Sequence, residues 1–553
     1  MDGFTEPPTL SDVIARLQQS PTLAPTRRRD LISAVLRISE MTGVDPRSTP
    51  ASMRFMRPLI NAVRPAQYNL ASKTWSNHRS NFRAALVQPD ARARKQADPE
   101  WGKLRLALPT KKMRLGLSRF IAFCDNQLIA PNAVCDDVSD RFRFHLEADT
   151  QVPDPHDCHR TACRVWNIAV AKVPGWPALR LNVPESRRPR QSIPINSFPL
   201  PLQQAFAGYI ESLRVTDLFA EERPRKALAP STVQQRAVEL GLALSALVAS
   251  GREAAEITSL AMLVEPEAFI AILRRYLNKD GTARPFARNI AQTLIALAKR
   301  WVKVDPTALA KLYELQRRLG SWPKGLTKKN RTLIHTLDDP AIRAQLHFLP
   351  DRLAHWAERA TPVRGAIGFE LAVAIGILRN APLRIANLAG LRLDRHLVRP
   401  GGPRSLWHID IAAHETKNDQ ALVYELPRRT TALVDRYIRD FRPLLAAPGN
   451  PYLFPVRSGH KTPPKLSQQI RRVLADWVGI YMTPHQFRHH AGRVLQRHSP
   501  GAFAAIAELL GQKDVRTAMR YYTELDTLSA GRHFDEILEM ERAEARLPGR
   551  RPS

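Results

Sequence analysis

The stretch Thr483-Pro484-His485-Gln486-Phe487-Arg488-His489-His490-Ala491-Gly492 decides how the rest of this chain is read. Thr483 and Gln486 have the spacing of a capping box, and Pro484 suits a first helical position, so a helix N-terminus is predicted here. His485 and Arg488 are three apart and therefore share one face. Free backbone N–H groups and the helix dipole at that end favour an anion, so a His and an Arg placed there build a phosphate clamp. That setting outweighs the plainer reading of two surface residues on an ordinary first turn. His489 and His490 are read as packing or polar neighbours directed to other faces.

The clamp has candidate partners on both sides. Upstream, Asn380-Ala-Pro382-Leu-Arg384-Ile-Ala-Asn387-Leu-Ala-Gly390 is a short helix bracketed by Pro and Gly, placed after an apolar helix from Ile367 to Leu378. It would hold Arg384 rigidly, although alone it would pass for a surface arginine. Two strand-like runs, Leu406 to Ile411 and Ala421 to Leu426, flank Thr416-Lys417-Asn418-Asp419-Gln420. A β-hairpin with Lys417 near a mobile tip is expected, the ordinary alternative being a lysine kept for solubility. Downstream, an apolar helix from Ala502 to Leu510 ends at Gly511-Gln512-Lys513, and Tyr521 and Tyr522 follow within Thr517 to Thr523. A tyrosine in such a place is most often a half-buried packing residue. The spacing from Gln512 favours Tyr521 over Tyr522 as a reactive phenol. Two arginines can neutralise a phosphodiester, a lysine can protonate a leaving oxygen, and a phenol can attack phosphorus without a metal.

Taken in order, Arg384, Lys417, His485, Arg488, Gln512 and Tyr521 give the C-terminal region a close resemblance to the tyrosine recombinase, or phage integrase, family. TPHQFRHHAG, AELLGQ and TAMRYYTEL follow that family's C-terminal signature, whereas the N-terminal two-thirds resemble it only in being helical. The resemblance implies a mainly α fold with a small β-hairpin or sheet in a C-terminal catalytic domain, preceded by helical DNA-binding domains. It implies that Tyr521 attacks the scissile phosphate, leaving a 3′-phosphotyrosyl link and a free 5′-hydroxyl. Arg384 and Arg488 would bracket the non-bridging oxygens, His485 would hydrogen-bond the phosphate, and Lys417 would protonate the leaving oxygen. No cofactor, metal or ATP is implied. Double-stranded DNA at recombination sites is the implied partner. Assembly as a homotetramer on DNA, or with partner recombinases, would use a short C-terminal helix carrying Phe534, Ile537, Leu538 and Glu541, the alternative being a helix packed on its own domain. Two positions depart from the family: Gln512 stands where His or Trp is usual, and Asn387 where an acid often supports the first arginine. Hence a second reading, a catalytically weakened DNA-binding accessory protein, stands beside the site-specific recombinase of a mobile element. A type IB topoisomerase would share the chemistry.

Composition agrees with a nucleic-acid partner. Lys and Arg total 83 against 52 Asp and Glu, a net charge of +31, which favours a polyanion. An anionic membrane also qualifies by charge, but the richest apolar stretch, Ile367 to Leu378, is too short to cross one. The N-terminus carries acids and prolines where a signal peptide needs a basic and then apolar run, so a cytoplasmic, nucleoid-associated prokaryotic protein is expected. Four cysteines are too few for a disulfide framework. His156, Cys158, His159 and Cys163 fit no zinc spacing, and buried thiols are expected.

Length suggests about three or four domains. The expected division is a helical N-terminal domain over 1–95, a second helical domain over 96–185, a basic proline-rich linker over 186–204, a core-binding-like helical domain over 205–328 and the catalytic domain over 335–545. Arg187, Arg188 and Arg190 in the linker, and Lys328, Lys329 and Arg331 in a hinge before the last domain, are candidate DNA-backbone contacts; the linker reads equally well as a solvated connector. Within the third domain, Ser231-Thr-Val-Gln234 is expected to cap a helix that stops before Gly251.

Overall fold

The computed structural model describes residues 8–68, 70–86, 99–187, 192–216, 227–321, 325–499 and 501–544, leaving out the side chains at 72, 522–530, 532 and 533. The chain is mainly helical, and its C-terminal region holds a three-stranded antiparallel sheet. It divides into two compact units, Glu185–Pro323 and the combination of Met1–Pro184 with Lys324–Ser553. Among the described residues, no helix is long and apolar enough to cross a membrane.

Among the described residues, the Glu185–Pro323 unit packs five α-helices around Leu240, Leu244, Phe269 and Leu294. Its longest helix, Pro230–Ala249, starts one residue before the expected cap, with Ala229 as N-cap and no side-chain cap bond. Pro230 occupies the first helical position, where its missing N–H costs nothing, and this draws Ser231 inside the first turn. The buried Glu239 carboxylate accepts from Gln235 Nε2 at 2.8 Å and from the Thr293 hydroxyl, so its burial is compensated. The helix Leu200–Ser212 begins inside the stretch expected to be linker, and Arg188 and Arg190 lie outside the described residues.

Among the described residues, the other unit contains four separate apolar cores, one of them small. The first gathers Leu10, Val35, Met56 and Phe82; the second gathers Leu117, Phe120, Phe142 and Trp166. Arginines join them. Arg57, 7% exposed, donates through Nη2 to Glu147 O at 2.6 Å and Thr150 O at 2.8 Å, taking the carbonyls that end the helix Asp136–Asp149. Arg83 Nε reaches Asp149 O at 2.7 Å. His159 and Cys163 face Ser139 inside the second core, at 2.7 and 3.2 Å. Gln67 Nε2 donates to Gly479 O at 3.3 Å and the Arg64 guanidinium lies 4.5 Å from the Tyr481 ring, so the N-terminal helices also touch the C-terminal region.

The third core surrounds the helix Pro362–Asn380, buried along nearly its whole length. Gly368 permits close approach of the helix Leu349–Glu358, since a Cβ there would stand 2.4 Å from Trp356. Glu370, at the centre of the buried helix, is paired with Lys461, whose Nζ also donates to Gln469 Oε1 at 3.0 Å. Burial raises the Glu370 pKa, and the lysine opposes that rise. The sheet runs β1 (Leu397–Val398), β2 (His408–Ile411) and β3 (Leu422–Glu425) in that order, with Ile409 opposite Tyr424 and Ile411 opposite Leu422. Ile409, Ile411 and Leu422 turn inward while Asp410 and Val423 face solvent, the alternation of a sheet covered on one side.

Candidate active site

Arg384, Lys417, His485, Arg488, Gln512 and Tyr521 line one cleft of ≈ 700 Å³. Each arrives on a different local structure. Arg384 is the N-cap of the five-residue helix Ile385–Ala389, which follows the buried core helix. The Arg384 guanidinium is half-buried, has no hydrogen-bond or ion-pair partner among the described residues, and has its pKa lowered by burial. Asn387, one turn on, donates to Glu415 O at 3.2 Å and so ties this helix to the loop between β2 and β3.

That loop is longer than a tight hairpin turn. It spans residues 412–421 and contains a short 3-10 helix, Ala413–Glu415. Asp419 takes the left-handed conformation with φ +47, as the sequence's Asn-Asp pair allows. Lys417 is exposed on the turn beside it. The tip is tied rather than free, because Asn418 Nδ2 donates to Gly511 O at 3.0 Å.

The helix bearing the clamp runs Gln486–His498, with His485 as N-cap, so it starts later than the capping-box reading. Only half of that box forms: Gln486 Oε1 accepts from Thr483 N at 2.8 Å and Thr483 Oγ1 at 3.1 Å. The first amides close tight turns instead, Gln486 N to Thr483 O at 2.9 Å and Arg488 N to His485 O at 3.2 Å. The anion attraction therefore belongs to side chains rather than to free backbone N–H groups. Arg488 is 4% exposed, with Nη1 on Pro382 O at 2.8 Å and Nη2 on Leu510 O. Neutral carbonyls fix its position. The His485 ring opens onto the cleft yet is crowded by protein; that desolvation, with Arg488, Arg384 and Lys417 nearby, lowers its pKa.

Gln512 is half-buried and its Oε1 has no hydrogen-bond partner among the described residues. Tyr521 sits in the helix Val515–Glu544, packed against a small core containing Leu326, Ile334, Ile506 and Ala518. The Tyr522 side chain lies outside the described residues. Residues 534–541, expected as a separate short helix, continue the helix of Tyr521.

One lining residue runs against its sequence reading. His489 faces the cleft, its ring 5.5 Å from His485 and 6.1 Å from Tyr521, and its Nε2 is 3.1 Å from Asn330 Nδ2. Burial, with His485 and Arg488, lowers its pKa to about 4. The i, i+4 relation to His485, which stacks two side chains on one helical face, is the signal that finds it. His490 does point away, toward His347 at 5.9 Å. Asn330, which also holds Gln486 Nε2 at 2.9 Å, comes from the distant helix Lys328–Leu337 and carries no sequence signal. Lys328, Lys329 and Arg331 are exposed on the opening turns of that helix rather than in a hinge, while Arg187 is exposed in the other unit. Among the described residues, no group of His, Cys, Asp and Glu is arranged to hold a metal.

No curated protein matches the chain. Among solved structures, XerA recombinase is similar at 16% identity, covering 60% of this chain and 96% of that one, with a TM-score of 0.25. The Tn1549 transposon integrase in complex with circular intermediate DNA is similar at 16% identity, covering 60% and 98%, with a TM-score of 0.35. XerH recombinase bound to difH substrate is similar at 12% identity, covering 57% and 89%, with a TM-score of 0.31. Overlap at these scores is partial, and the weight falls on the sequence match. Residues 351–527, which carry every one of the cleft's cationic residues and Tyr521 among the described residues, match the model of the phage integrase family.

Proposed function

We propose that this protein is a site-specific DNA recombinase that cuts and rejoins strands through a 3′-phosphotyrosyl intermediate, serving the integration or excision of a mobile element in the cytoplasm of a prokaryote. The observation that carries the reading is the meeting of Arg384, Lys417, His485, Arg488 and Tyr521 in one cleft. Tyr521 Oη attacks phosphorus in line, and the bond from phosphorus to the 5′-oxygen breaks. Lys417 Nζ gives its proton to that oxygen, and His485, held neutral by its surroundings, accepts the phenol proton. Arg384 and Arg488 take the charge gathering on the non-bridging oxygens, and electrostatic stabilisation of that kind supplies most of the acceleration. Attack by a 5′-hydroxyl reverses each step, so the ester bond energy is kept and no ATP is spent.

A nicked duplex carrying the recombination site, mapped first by footprinting, tests this by losing the fragment needed for religation and trapping the covalent adduct. Wild type and Tyr522→Phe are expected to form the adduct, and Tyr521→Phe to form none. An adduct on Tyr522 alone would move the nucleophile by one residue. Absence of any wild-type adduct would favour the weakened accessory protein, for which Gln512 and Asn387 are the support.

A further inference from the structure

One main-chain amide and three side chains form a hydrogen-bond relay that ends on His489, and its first member sets its direction. Thr483 N–H can only donate, so the atom 2.8 Å from it is the Gln486 carbonyl oxygen, Oε1. Gln486 Nε2 is then the donor to Asn330 Oδ1 at 2.9 Å, and Asn330 Nδ2 is the donor facing His489 Nε2 at 3.1 Å. A donor aimed at Nε2 requires a lone pair there. His489 is therefore neutral, with its proton on Nδ1. Gln486 and His489 are both buried, so water is no ready substitute for either partner.

The ring so fixed stands beside two groups of the proposed chemistry. Its centroid lies 5.5 Å from that of His485, with the planes at 87°, and 6.1 Å from that of Tyr521, with the planes at 62°. The charged side chains lining the same cleft are Arg384, Lys417, Arg488 and Lys513, with the carboxylates of Asp419 and Asp514. A further cation next to His485 would oppose its taking a proton. Burial, then His485 and Arg488, already disfavours a second proton on His489. The relay adds a directional bar, because that proton would have to enter at Nε2, where the Asn330 amide already points a hydrogen.

We infer that His489 is a positioning residue, locked by Asn330 as the neutral Nδ1–H tautomer, which holds His485 and Tyr521 in place without adding charge to the cleft. The inference rests on the reading of Tyr521 as nucleophile and His485 as proton acceptor; His489 takes no proton in the reaction.

Long-range 15N–1H NMR of the full chain labelled at histidine distinguishes protonated from unprotonated ring nitrogens, and the His489 signal is the one missing from His489→Gln. Near neutral pH, wild type is expected to carry the proton on Nδ1. Asn330→Asp, whose carboxylate accepts where the amide donates, should move it to Nε2 or protonate both nitrogens. Single-turnover adduct formation on the nicked duplex, at saturating protein so that affinity does not enter, reads the positioning. His489→Gln keeps an uncharged acceptor near the place of Nε2 and should cleave within a few-fold of wild type. His489→Leu has no acceptor and should slow about tenfold, as should Asn330→Asp. Asn330 is only half-buried, so Asn330→Asp keeps the inference testable should His489→Leu fail to fold. A proton on Nε2 in wild type would overturn the inference, as would wild-type rates in His489→Leu and Asn330→Asp. So would rates that follow melting temperature across the variants rather than the presence of an acceptor, since His489 would then be a packing residue. Absence of a wild-type adduct would reject the recombinase reading and the positioning role with it, a failure set apart by an unchanged NMR result.

Discussion

The Gln512 amide can donate a hydrogen bond to a phosphate oxygen, but its buried Oε1 is an acceptor with nothing to accept among the described residues. An unsatisfied buried polar atom costs about 1–3 kcal/mol, and a histidine ring at the same place could donate and also carry a proton. Gln512→His is therefore expected to raise the single-turnover cleavage rate about tenfold or more, within the range a positioned acid–base group supplies; loss of cleavage in that variant would reject this account. Histidines also set a pH limit on stability. His489 and His490 both titrate at about 4 in the folded protein, chiefly through burial, against about 6.5 unfolded. Between those values the unfolded chain binds more protons. Stability is thus fully present above pH ~6.5 and is lost as pH falls toward 4, by up to about 1.4 kcal/mol per pH unit for each ring. His490 lies off the cleft, so His490→Gln should flatten the fall in denaturant midpoint between pH 6.5 and 5 without altering the pH profile of cleavage.

The elements of the cleft meet at one helix end. Phe503–Leu509 finishes with three successive carbonyls, and each is taken by a different part of the domain: Leu509 O by Tyr424 OH at 2.7 Å from β3, Leu510 O by Arg488, and Gly511 O by Asn418 Nδ2 at 3.0 Å. Carbonyls at a helix C-terminus lack partners inside the helix, so this arrangement satisfies them while fixing the hairpin loop and the clamp to one reference point. Gly511 makes room for it, with φ +54 and an added Cβ only 2.4 Å from Leu422. Asn418→Ala frees the loop that carries Lys417. Cleavage should slow about tenfold with DNA affinity retained, in line with the sensitivity of catalysis to misplaced groups. A substrate with sulfur in place of the leaving 5′-oxygen needs no proton and should recover the rate; equal slowing on both substrates would show that Lys417 placement is not what Asn418 controls. This junction also marks where the sequence stops being informative. Arg384, Lys417, His485, Arg488 and Gln512 can be picked out because each sits near Pro, Gly or a strand-turn pattern that declares its local structure, and Tyr521 by its spacing from Gln512 and the family resemblance. The tie between Asn418 and Gly511 leaves no such mark, because it depends on two loops far apart in the chain. The capping box at Thr483 misleads for a related reason: tight turns claim the amides that the box would have used.

At the scale of the whole molecule, exposed apolar side chains are scattered over many elements, and the outer half of the helix Val515–Glu544 carries several within one stretch. There Phe534 is 59% exposed and Leu538, one turn on, 39%. Single exposed apolar residues are ordinary, but a row at helical spacing on an otherwise charged helix fits a surface made to be covered. We propose a second copy of this chain on the same DNA as that cover, one helix docking on the next subunit. A closed ring of such docked helices is heterologous: each copy gives a helix and receives one. Cutting can then be separated from exchange. In Phe534→Asp with Leu538→Asp, thermal stability of the free protein should stay within about 0.5 kcal/mol of wild type, since neither side chain is buried in its own subunit. The adduct on a nicked single site should still form, because every cleft residue comes from one chain. Recombination between two sites should be lost, and sedimentation of the protein–DNA complex should show the higher-order species replaced by single protomers on single sites. If the doubly substituted protein recombines two sites at the normal rate, the exposed row has another occupant, and assembly must run through a different surface.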